Sequence, residues 1–308
     1  MASMYEKVFM GDKIVARDEA TISIASSAVL YGLSVYTVFP VNINREDTLK
    51  YAFRLETHFD RLVNSSKIIG IDNFTRDWNF EKFKKTVQEL VKVNTISNDV
   101  YVRATVHVDA ELAGTRSRGL HTILSIFVYD AIPILKPEGS RLKTSHWRRV
   151  PDYAIPSRAK VNGAYVNSVL AKQDALDNGA DDCLFIDAQG HVCELSAANI
   201  FVVRHGELLT PDSTSDLLEG INRNTIIEIA RNELKITVKE RSIDLTELYI
   251  SDEVFACGTS ANISPILEID NRIIGTGKPG EMTLQLQQLH QDVLSGRSAH
   301  YRHWLTKI

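Results

Sequence analysis

Hydrophobic and polar residues alternate along the chain between positions 100 and 108. Every second residue from Val100 to Val108 is apolar, and the residues between them are Tyr101, Arg103, Thr105 and His107. A period of two is typical of a β-strand, because successive side chains point to opposite faces of the sheet. The pattern therefore predicts a strand with one apolar face and one chemically active face. The segment 122–129 is predicted to be its partner strand.

Other segments have apolar residues at helical spacing. Leu55, Phe59 and Leu62 lie on one face of a helix predicted over 53–69. The remaining patterns predict helices at 80–91, 166–177, 223–234 and 281–294, and strands at 183–187, 191–194, 199–204, 207–210, 236–238 and 253–257. Helices and strands are mixed along the chain, which indicates the α+β class.

One segment between these elements has little periodicity. Residues 130–145 contain Pro133, Pro137 and Gly139, which punctuate regular structure. This segment is therefore interpreted as a linker between an N-terminal α+β domain, residues 1–129, and a C-terminal α+β domain, residues 146–308. A length of 308 residues fits two domains of ~100–200 residues each.

Composition excludes several classes of function. The formal charge of −4 does not favour nucleic-acid binding, which depends on clustered basic residues. Cys183, Cys193 and Cys257 are widely spaced and suggest no disulfide framework, which fits a reducing compartment. No segment has the ~20 apolar residues of a membrane helix, and the N-terminal stretch lacks the apolar core of a signal peptide. We therefore expect a cytoplasmic protein without a membrane partner.

Two segments are suited to binding an anion. Residues 218–225 open a predicted amphipathic helix, where free N–H groups and the positive end of the helix dipole lie. Residues 258–262 follow a predicted buried strand and supply two hydroxyl groups and a glycine. Each segment alone is more often a plain cap or turn. Together they suit a phosphate, whose terminal oxygens need donors from several directions.

Lys160 and Glu194 stand among small and apolar neighbours. A partly buried lysine loses its proton more readily and can form a Schiff base, and a carboxylate in apolar surroundings needs a partner. Taken alone, each is more often an ordinary surface residue. His300 and His303 are interpreted as part of a polar tail, and the glycines of 275–280 as a turn, so no metal site is predicted.

In their order along the chain, these segments resemble the fold-type-IV pyridoxal-phosphate enzymes, specifically the branched-chain aminotransferase family. The resemblance runs along almost the whole chain. Four motifs carry it: residues 159–168 around Lys160, Glu194 with 196–201, residues 218–223, and 252–255 with Gly258 and Thr259.

This resemblance implies two α+β domains, with pyridoxal 5′-phosphate bound between them. It implies that Lys160 forms the Schiff base and moves the proton, that Glu194 pairs with the pyridine nitrogen, and that Tyr165 binds the phenolic oxygen. The phosphate ligands it implies are Arg61, Ile221, Asn222 and Thr259. A protonated pyridine nitrogen withdraws the charge that develops when the α-proton is removed, which explains the need for a carboxylate beside it.

The substrates implied are an amino donor and a 2-oxo acid acceptor, and the assembly implied is a homodimer or a larger homo-oligomer. Tyr31 and the loop near Thr115 are expected to contribute to the neighbouring subunit's site. The complete set of substrate-binding residues that we expect is Tyr31, Tyr36, Val38, Tyr101, Arg103, Thr115, Ser260 and Ala261.

The chain departs from the family pattern in the strand that lines the substrate pocket. The family commonly has glutamate, glycine and arginine where this chain has Thr37, Val38 and Pro40. Further departures are Leu195 for glycine, Ala198 for glutamate and Asn222 for threonine. The leading hypothesis is a transaminase for branched-chain L-amino acids and 2-oxoglutarate. The alternatives are a D-amino-acid or (R)-amine transaminase, then aminodeoxychorismate lyase, and last a non-catalytic binding protein, which would need neither Lys160 nor Glu194.

Overall fold

The computed structural model describes residues 2–45 and 48–308. The helices are α1 (Ser27–Leu30), α2 (Leu55–Ile68), α3 (Phe74–Asp77), α4 (Phe80–Val93), α5 (Tyr165–Asp177), α6 (Ile221–Asn232), α7 (Leu245–Leu248) and α8 (Glu281–Leu294). The strands are β1 (Lys7–Met10), β2 (Lys13–Ala16), β3 (Ser34–Ile43), β4 (Lys50–Phe53), β5 (Val100–Val108), β6 (Thr122–Asp130), β7 (Ser140–Thr144), β8 (Asp182–Ile186), β9 (Val192–Leu195), β10 (Asn199–Arg204), β11 (Glu207–Thr210), β12 (Val238–Glu240), β13 (Glu253–Gly258), β14 (Asn262–Ile269), β15 (Arg272–Ile273) and β16 (Leu305–Lys307).

The first of two compact units contains a seven-stranded antiparallel sheet. It comprises the described residues of 2–132 together with Ala159–Ala164 and Val293–Ile308. Its strand order is β16-β4-β3-β5-β6-β1-β2. One face of the sheet packs against α2 and α4, and Phe59 of α2 contacts Phe83 of α4 with 5.2 Å between ring centroids. The apolar stripes read from the sequence therefore lie in this core.

The other face of this sheet carries the polar side chains of β5. Tyr36 pairs with Thr105 and Val38 pairs with Arg103 across the β3–β5 ladder. Directly paired residues share a face, so Tyr36 and Val38 lie on the same side as Arg103. This arrangement confirms the alternation predicted for residues 100–108. Thr37 lies on the opposite face, toward α2, with its side chain fully buried.

The second unit is built on a nine-stranded mixed sheet. It comprises Pro133–Arg158 and Tyr165–Asp292, and its strand order is β12-β11-β10-β13-β14-β7-β8-β9, with β15 on β14. An additional pairing of β9 with β10 joins Glu194 to Asn199 and closes six of these strands into a ring. The apolar residues of the ring, such as Leu184, Ile200 and Val254, form its core.

The structure differs from the sequence interpretation in three segments. Within the expected linker 130–145, residues 140–144 form β7, which pairs in parallel with β8 and β14. Two segments expected in the C-terminal domain belong to the first unit: 159–164, where Val161 bridges Val35, and the C-terminal strand β16, which pairs with β4. Their partners are distant in sequence, and segments this short have no periodicity to reveal them.

Candidate active site

The backbone around Lys160 is held against the start of β3 as a short extended segment. The Lys160 carbonyl accepts a hydrogen bond from the Tyr36 amide at 3.0 Å, and the Asn162 amide donates to the Ser34 carbonyl at 2.9 Å. On its other side, the Lys160 amide donates to Ser65 Oγ of α2 at 3.0 Å. These contacts fix the backbone that carries the lysine side chain.

Two glycines allow this segment to approach β3 so closely. Gly32 adopts a positive φ of 65°, and a Cβ there would lie 2.8 Å from the Gly163 Cα. Any side chain at position 32 would therefore be strained and would also push the segment of Lys160 away. The glycine of the Tyr31-Gly32 element thus has a packing role that the sequence motif alone does not reveal.

The Lys160 amine lies beside an aromatic ring on the polar face of the first sheet. Its Nζ is 4.9 Å from the centroid of the Tyr36 ring, and the Arg103 guanidinium carbon lies 3.6 Å from the same centroid. Arg103 also donates from Nη2 to Asn162 Oδ1 at 2.5 Å. The structure therefore brings together three of the predicted residues, Lys160, Tyr36 and Arg103.

Arg61, the predicted phosphate ligand of this unit, lies on α2. Its Nη2 donates to Thr37 Oγ1 at 3.2 Å, and the same nitrogen is 3.5 Å from His58 Nδ1. His58 is fully buried, and burial, followed by the charges of Arg61, Lys160 and Arg54, holds its pKa well below the usual value. Arg61 and Lys160 are therefore two of the cations that act on this imidazole.

The remaining predicted substrate residues of the first unit have different environments. Val38 and Tyr101 are buried, and Tyr101 contacts Tyr129 with 5.7 Å between ring centroids. Tyr31 is 50% exposed and follows α1, and Thr115 is exposed in the loop before β6. Bonds between 25–27 and 110–112 join these two loops, so Tyr31 and Thr115 lie on connected loops of the same unit.

Glu194 is buried in the second unit and accepts hydrogen bonds on both carboxylate oxygens. Its Oε1 is 2.9 Å from Arg149 Nη2, while Oε2 accepts from Asn199 Nδ2 at 3.2 Å and from the Leu218 amide at 3.3 Å. Arg149 is itself anchored by its Nε, which donates to the Asp216 carbonyl. The carboxylate therefore has a fixed position beside the loop that leads into α6.

The start of α6 offers the backbone N–H groups that an anion site needs. Gly220 is the residue before the helix and supplies no side-chain cap, so the first N–H groups of the helix remain available. Ile221 and Asn222 are buried in this first turn, and Asn222 Oδ1 has no hydrogen-bond partner in the described parts of the chain. A side chain at Gly220 would collide with Asn199, since its Cβ would lie 2.1 Å from Asn199 Oδ1.

The other predicted residues of this unit lie at element ends. Thr259 and Ser260 are half-buried in the turn between β13 and β14, and the Ser260 carbonyl accepts a hydrogen bond from the Ile134 amide at 2.9 Å. Ala261 is buried next to them, and Tyr165 is the half-buried first residue of α5.

Several residues of this site were not singled out from the sequence. Arg149 and Ser65 gave no signal, because their partners are remote in sequence. Asn199 lies within the motif 196–201, but the motif alone implies no role for it. His58 offered a usable signal, since it is a polar residue on the apolar stripe of Leu55 and Phe59. Among the described residues, no group of three or more His, Cys, Asp or Glu side chains is arranged to hold a metal ion.

Comparison with known proteins identifies the family. The model of the family "Amino-transferase class IV" matches residues 34–269. A relative from Aquifex aeolicus, named "Probable branched-chain-amino-acid aminotransferase", is 36% identical over 97% of this chain and 96% of its own. A branched-chain-amino-acid aminotransferase from Pseudomonas aeruginosa is 33% identical over 100% of this chain and 99% of its own.

Solved structures agree with this result. The branched-chain aminotransferase of Thermoproteus uzoniensis with norvaline matches with a TM-score of 0.92 and 34% identity, covering 99% of each chain. The enzyme of Thermobaculum terrenum in its PLP form matches with a TM-score of 0.92 and 32% identity, covering 99% of this chain and 98% of that one. The α+β fold expected from the sequence is thereby confirmed, and the chain belongs to the class IV aminotransferases.

Proposed function

We propose that this aminotransferase uses pyridoxal 5′-phosphate to transfer the amino group of branched-chain L-amino acids to 2-oxoglutarate. The observation that carries the proposal is the position of Lys160 in a class IV chain: its backbone is fixed against β3 and α2, and its amine lies beside Tyr36. The relatives described above carry branched-chain names, so the D-amino-acid, (R)-amine, lyase and non-catalytic alternatives are not favoured.

The side chains present fit the chemistry of this cofactor. A phosphate needs cations and N–H donors, which Arg61 and the first turn of α6 supply. At Asn222 the group suited to a phosphate is the backbone N–H of the first helical turn, because the side-chain oxygen Oδ1 is itself an acceptor. A pyridine nitrogen needs a carboxylate, which Glu194 supplies from a fixed position. Bound pyridoxal phosphate contributes a carbonyl that bonds to amines and a ring that withdraws electrons.

Each predicted cofactor residue then has a specific role. Lys160 Nζ would hold the cofactor through its carbonyl group and would serve as the base that moves the proton at the substrate carbon. Glu194 keeps the proton on the ring nitrogen, and Tyr165 donates to the phenolic oxygen. The phosphate is held by Arg61, the N–H groups of Ile221 and Asn222, and the Thr259 hydroxyl.

The substrate pocket is proposed to lie on the polar face of the first sheet. Tyr36, Val38 and Tyr101 offer apolar surface for a branched side chain, and Arg103 offers a cation for a carboxylate of the 2-oxo acid. We assign Tyr31, Thr115, Ser260 and Ala261 to the same pocket. A pocket with an apolar wall beside a guanidinium can bind the aliphatic side chain of the amino donor and then the acidic side chain of 2-oxoglutarate.

We further propose a homodimer or a larger homo-oligomer. On α5, Val166, Val169 and Leu170 share one helical face and are 64%, 65% and 42% exposed. A second copy of the chain that covers this apolar face would remove it from water. We also propose a cytoplasmic location, since three free cysteines fit a reducing compartment. No helix in the described part of the chain is long and apolar enough to cross a membrane.

A steady-state substrate panel tests this function. The donors are L-leucine, L-isoleucine, L-valine, D-alanine and (R)-1-phenylethylamine, each assayed with 2-oxoglutarate and with pyruvate. We expect the highest kcat/KM for the three branched L-amino acids with 2-oxoglutarate, and no turnover by Lys160→Ala, which should keep the wild-type circular dichroism. A preference for D-alanine or for the (R)-amine would overturn the proposed substrates while leaving the reaction class in place.

A further inference from the structure

Two buried side chains and the partly buried Arg61 form a hydrogen-bonded group behind the polar face of the first sheet. Thr37 and His58 are each fully buried, and Thr37 Oγ1 is 2.8 Å from His58 Nδ1. Arg61 Nη2 is 3.2 Å from the same hydroxyl and 3.5 Å from the same imidazole nitrogen. One guanidinium nitrogen therefore faces a hydroxyl and an imidazole that are also bonded to each other.

Hydrogen-bond chemistry fixes the direction of these bonds. A guanidinium has only donors, so Thr37 Oγ1 accepts from Arg61 Nη2. The same Nη2 donor also faces His58 Nδ1, which favours Nδ1 as an acceptor with the imidazole proton on Nε2, and the Thr37 hydroxyl can then donate to Nδ1. The Nε2 atom is buried and has no hydrogen-bond partner among the described residues. An unpaired buried N–H group is energetically costly. The hydrogen bonding at Nδ1 explains why an imidazole is nevertheless present at this position.

The surroundings of His58 favour the neutral form of its imidazole. Burial and the neighbouring cations Arg61, Lys160 and Arg54 hold the pKa of His58 well below its usual value. Thr37 is neutral as well. Both contacts therefore orient the guanidinium without cancelling its positive charge. A glutamate, which the family pattern commonly places at position 37, would add a negative charge at this point.

We propose that Thr37 and His58 are positioning residues that orient the Arg61 guanidinium for the phosphate of the cofactor through two neutral acceptors. This inference rests on the proposed function, because it assumes that Arg61 binds that phosphate. The inference also accounts for the departure from the family pattern at position 37. Thr37 acts on the phosphate side of the sheet, whereas Val38 lies on the substrate face.

The test compares the affinity of the apoenzyme for pyridoxal phosphate with its affinity for pyridoxal, which lacks the phosphate. Thr37→Val removes the hydroxyl and keeps the side-chain shape, whereas Thr37→Ser keeps the hydroxyl. His58→Leu removes the Nδ1 acceptor, whereas His58→Asn retains an acceptor near the same place. The matched control is Thr86→Val, which removes another buried hydroxyl of this unit, bonded to the Lys82 carbonyl on α4.

We expect Thr37→Val and His58→Leu to raise the Kd for pyridoxal phosphate about tenfold, as for loss of one hydrogen bond to a charged group. The Kd for pyridoxal should change less than about twofold, and the ³¹P resonance of the bound phosphate should shift. Thr37→Ser, His58→Asn and Thr86→Val should retain affinity within about threefold of wild type.

Two results would overturn the positioning role. One is unchanged affinity for pyridoxal phosphate in Thr37→Val and His58→Leu, and the other is an equal loss for pyridoxal and pyridoxal phosphate, which would indicate a general packing effect. If Thr37→Val does not fold, the His58→Leu and His58→Asn pair decides by the same criteria. Failure of the wild-type protein to bind pyridoxal phosphate would instead overturn the proposed function itself.

Discussion

At the scale of single residues, the best-defined group of the candidate site is the Glu194 carboxylate. Both of its oxygens accept hydrogen bonds, from Arg149 on one side and from Asn199 and the Leu218 amide on the other. A carboxylate that is bonded on both sides cannot rotate away without leaving Arg149 buried and uncompensated. Its orientation is therefore set by the protein before any cofactor binds.

We predict that Glu194→Gln lowers kcat by roughly one to two decades and destabilises the protein. The amide keeps the shape but loses the charge opposite the ring nitrogen, and a charge-assisted hydrogen bond contributes about 1.5–3 kcal/mol. Stopped-flow rates on the cofactor-loaded fraction measure the first effect, and urea unfolding measures the second.

The matched control is Glu253→Gln. Glu253 accepts hydrogen bonds from the Met282 and Thr283 amides at the start of α8, so its loss should cost stability without changing kcat. An unchanged kcat in cofactor-loaded Glu194→Gln would contradict the assignment of Glu194.

At this scale, sequence motifs single out candidate residues for the site, whereas pairings that depend on the three-dimensional arrangement cannot be found from the sequence. Lys160 could be singled out by its motif, and its backbone contacts with Ser65 and Tyr36 explain its fixed position. Arg149 could not be found, because its pairing with Glu194 depends on the closure of distant strands. The cofactor roles of Lys160 and Glu194 stay predictions.

At the scale of elements, the proposed function gives the two faces of β3 two different roles. Thr37 points toward α2 and Arg61, and Val38 points to the face shared with Tyr36 and Arg103. Because side chains alternate along a strand, a residue proposed to act on the cofactor side is next in sequence to one proposed to line the substrate pocket. A change at position 38 should therefore affect substrate choice and leave the affinity for pyridoxal phosphate unchanged.

We predict that Val38→Gly raises the ratio of kcat/KM for leucine to that for alanine about tenfold. Removing the isopropyl group enlarges one wall of the pocket, and a methylene in such a pocket is worth ~1–3 kcal/mol. The glycine itself should cost roughly 0.5–1 kcal/mol of strand stability, in addition to the lost packing. The measurement is the ratio for both donors with 2-oxoglutarate.

The control on the same strand is Val41→Ala. Val41 is buried in the core with α2 and α4, so this change should lower stability and leave the ratio unaltered. If the ratio does not change in Val38→Gly either, Val38 does not face the substrate and the proposed pocket wall is wrong.

Elements with a strong period could be predicted from the sequence, and elements that depend on distant partners could not. The pattern at 100–108 predicts β5 with the bounds that the structure shows, because alternation over nine residues is compatible only with a strand. β7 was read as part of a linker because prolines and glycine surround it, and its parallel partners β8 and β14 lie far along the chain. β16 was missed because three residues cannot show a period.

At the scale of the whole molecule, stability should fall in mild acid. Burial lowers the pKa of His290 to about 4, whereas an unfolded histidine has a pKa of about 6.5. Since the folded state favours the neutral form, this contribution is complete above pH ~6.5 and is lost as the pH falls toward ~4.

We therefore predict that His290→Gln reduces the acid sensitivity of the protein. The loss of unfolding free energy between pH 7 and pH 5 should be about 2 kcal/mol smaller than in wild type. Urea unfolding at the two pH values measures it. His300→Gln, at an exposed position, should behave as wild type. If wild type and His290→Gln lose the same unfolding free energy between pH 7 and pH 5, His290 is protonated in the folded protein at the lower pH.

Assembly is the second property at this scale. We predict that Val169→Glu converts the proposed homo-oligomer to monomers, because it places a charge in the centre of the apolar face of α5. Light scattering during size-exclusion chromatography gives the mass of each species. Val93→Glu, at an exposed apolar position on α4, should keep the wild-type mass. A wild-type protein that is monomeric at micromolar concentration would contradict the proposed oligomer.

The central claim, a transaminase for branched-chain L-amino acids, is tested most directly by a half-reaction without acceptor. The cofactor-loaded protein is mixed with L-leucine or D-leucine, and the visible absorption band of the bound pyridoxal phosphate is followed. The proposed function predicts that L-leucine abolishes the band within the first turnover, that 2-oxoglutarate restores it, and that D-leucine leaves it unchanged. Two results would contradict the account. In one, D-leucine abolishes the band and L-leucine does not; in the other, the band persists with both enantiomers.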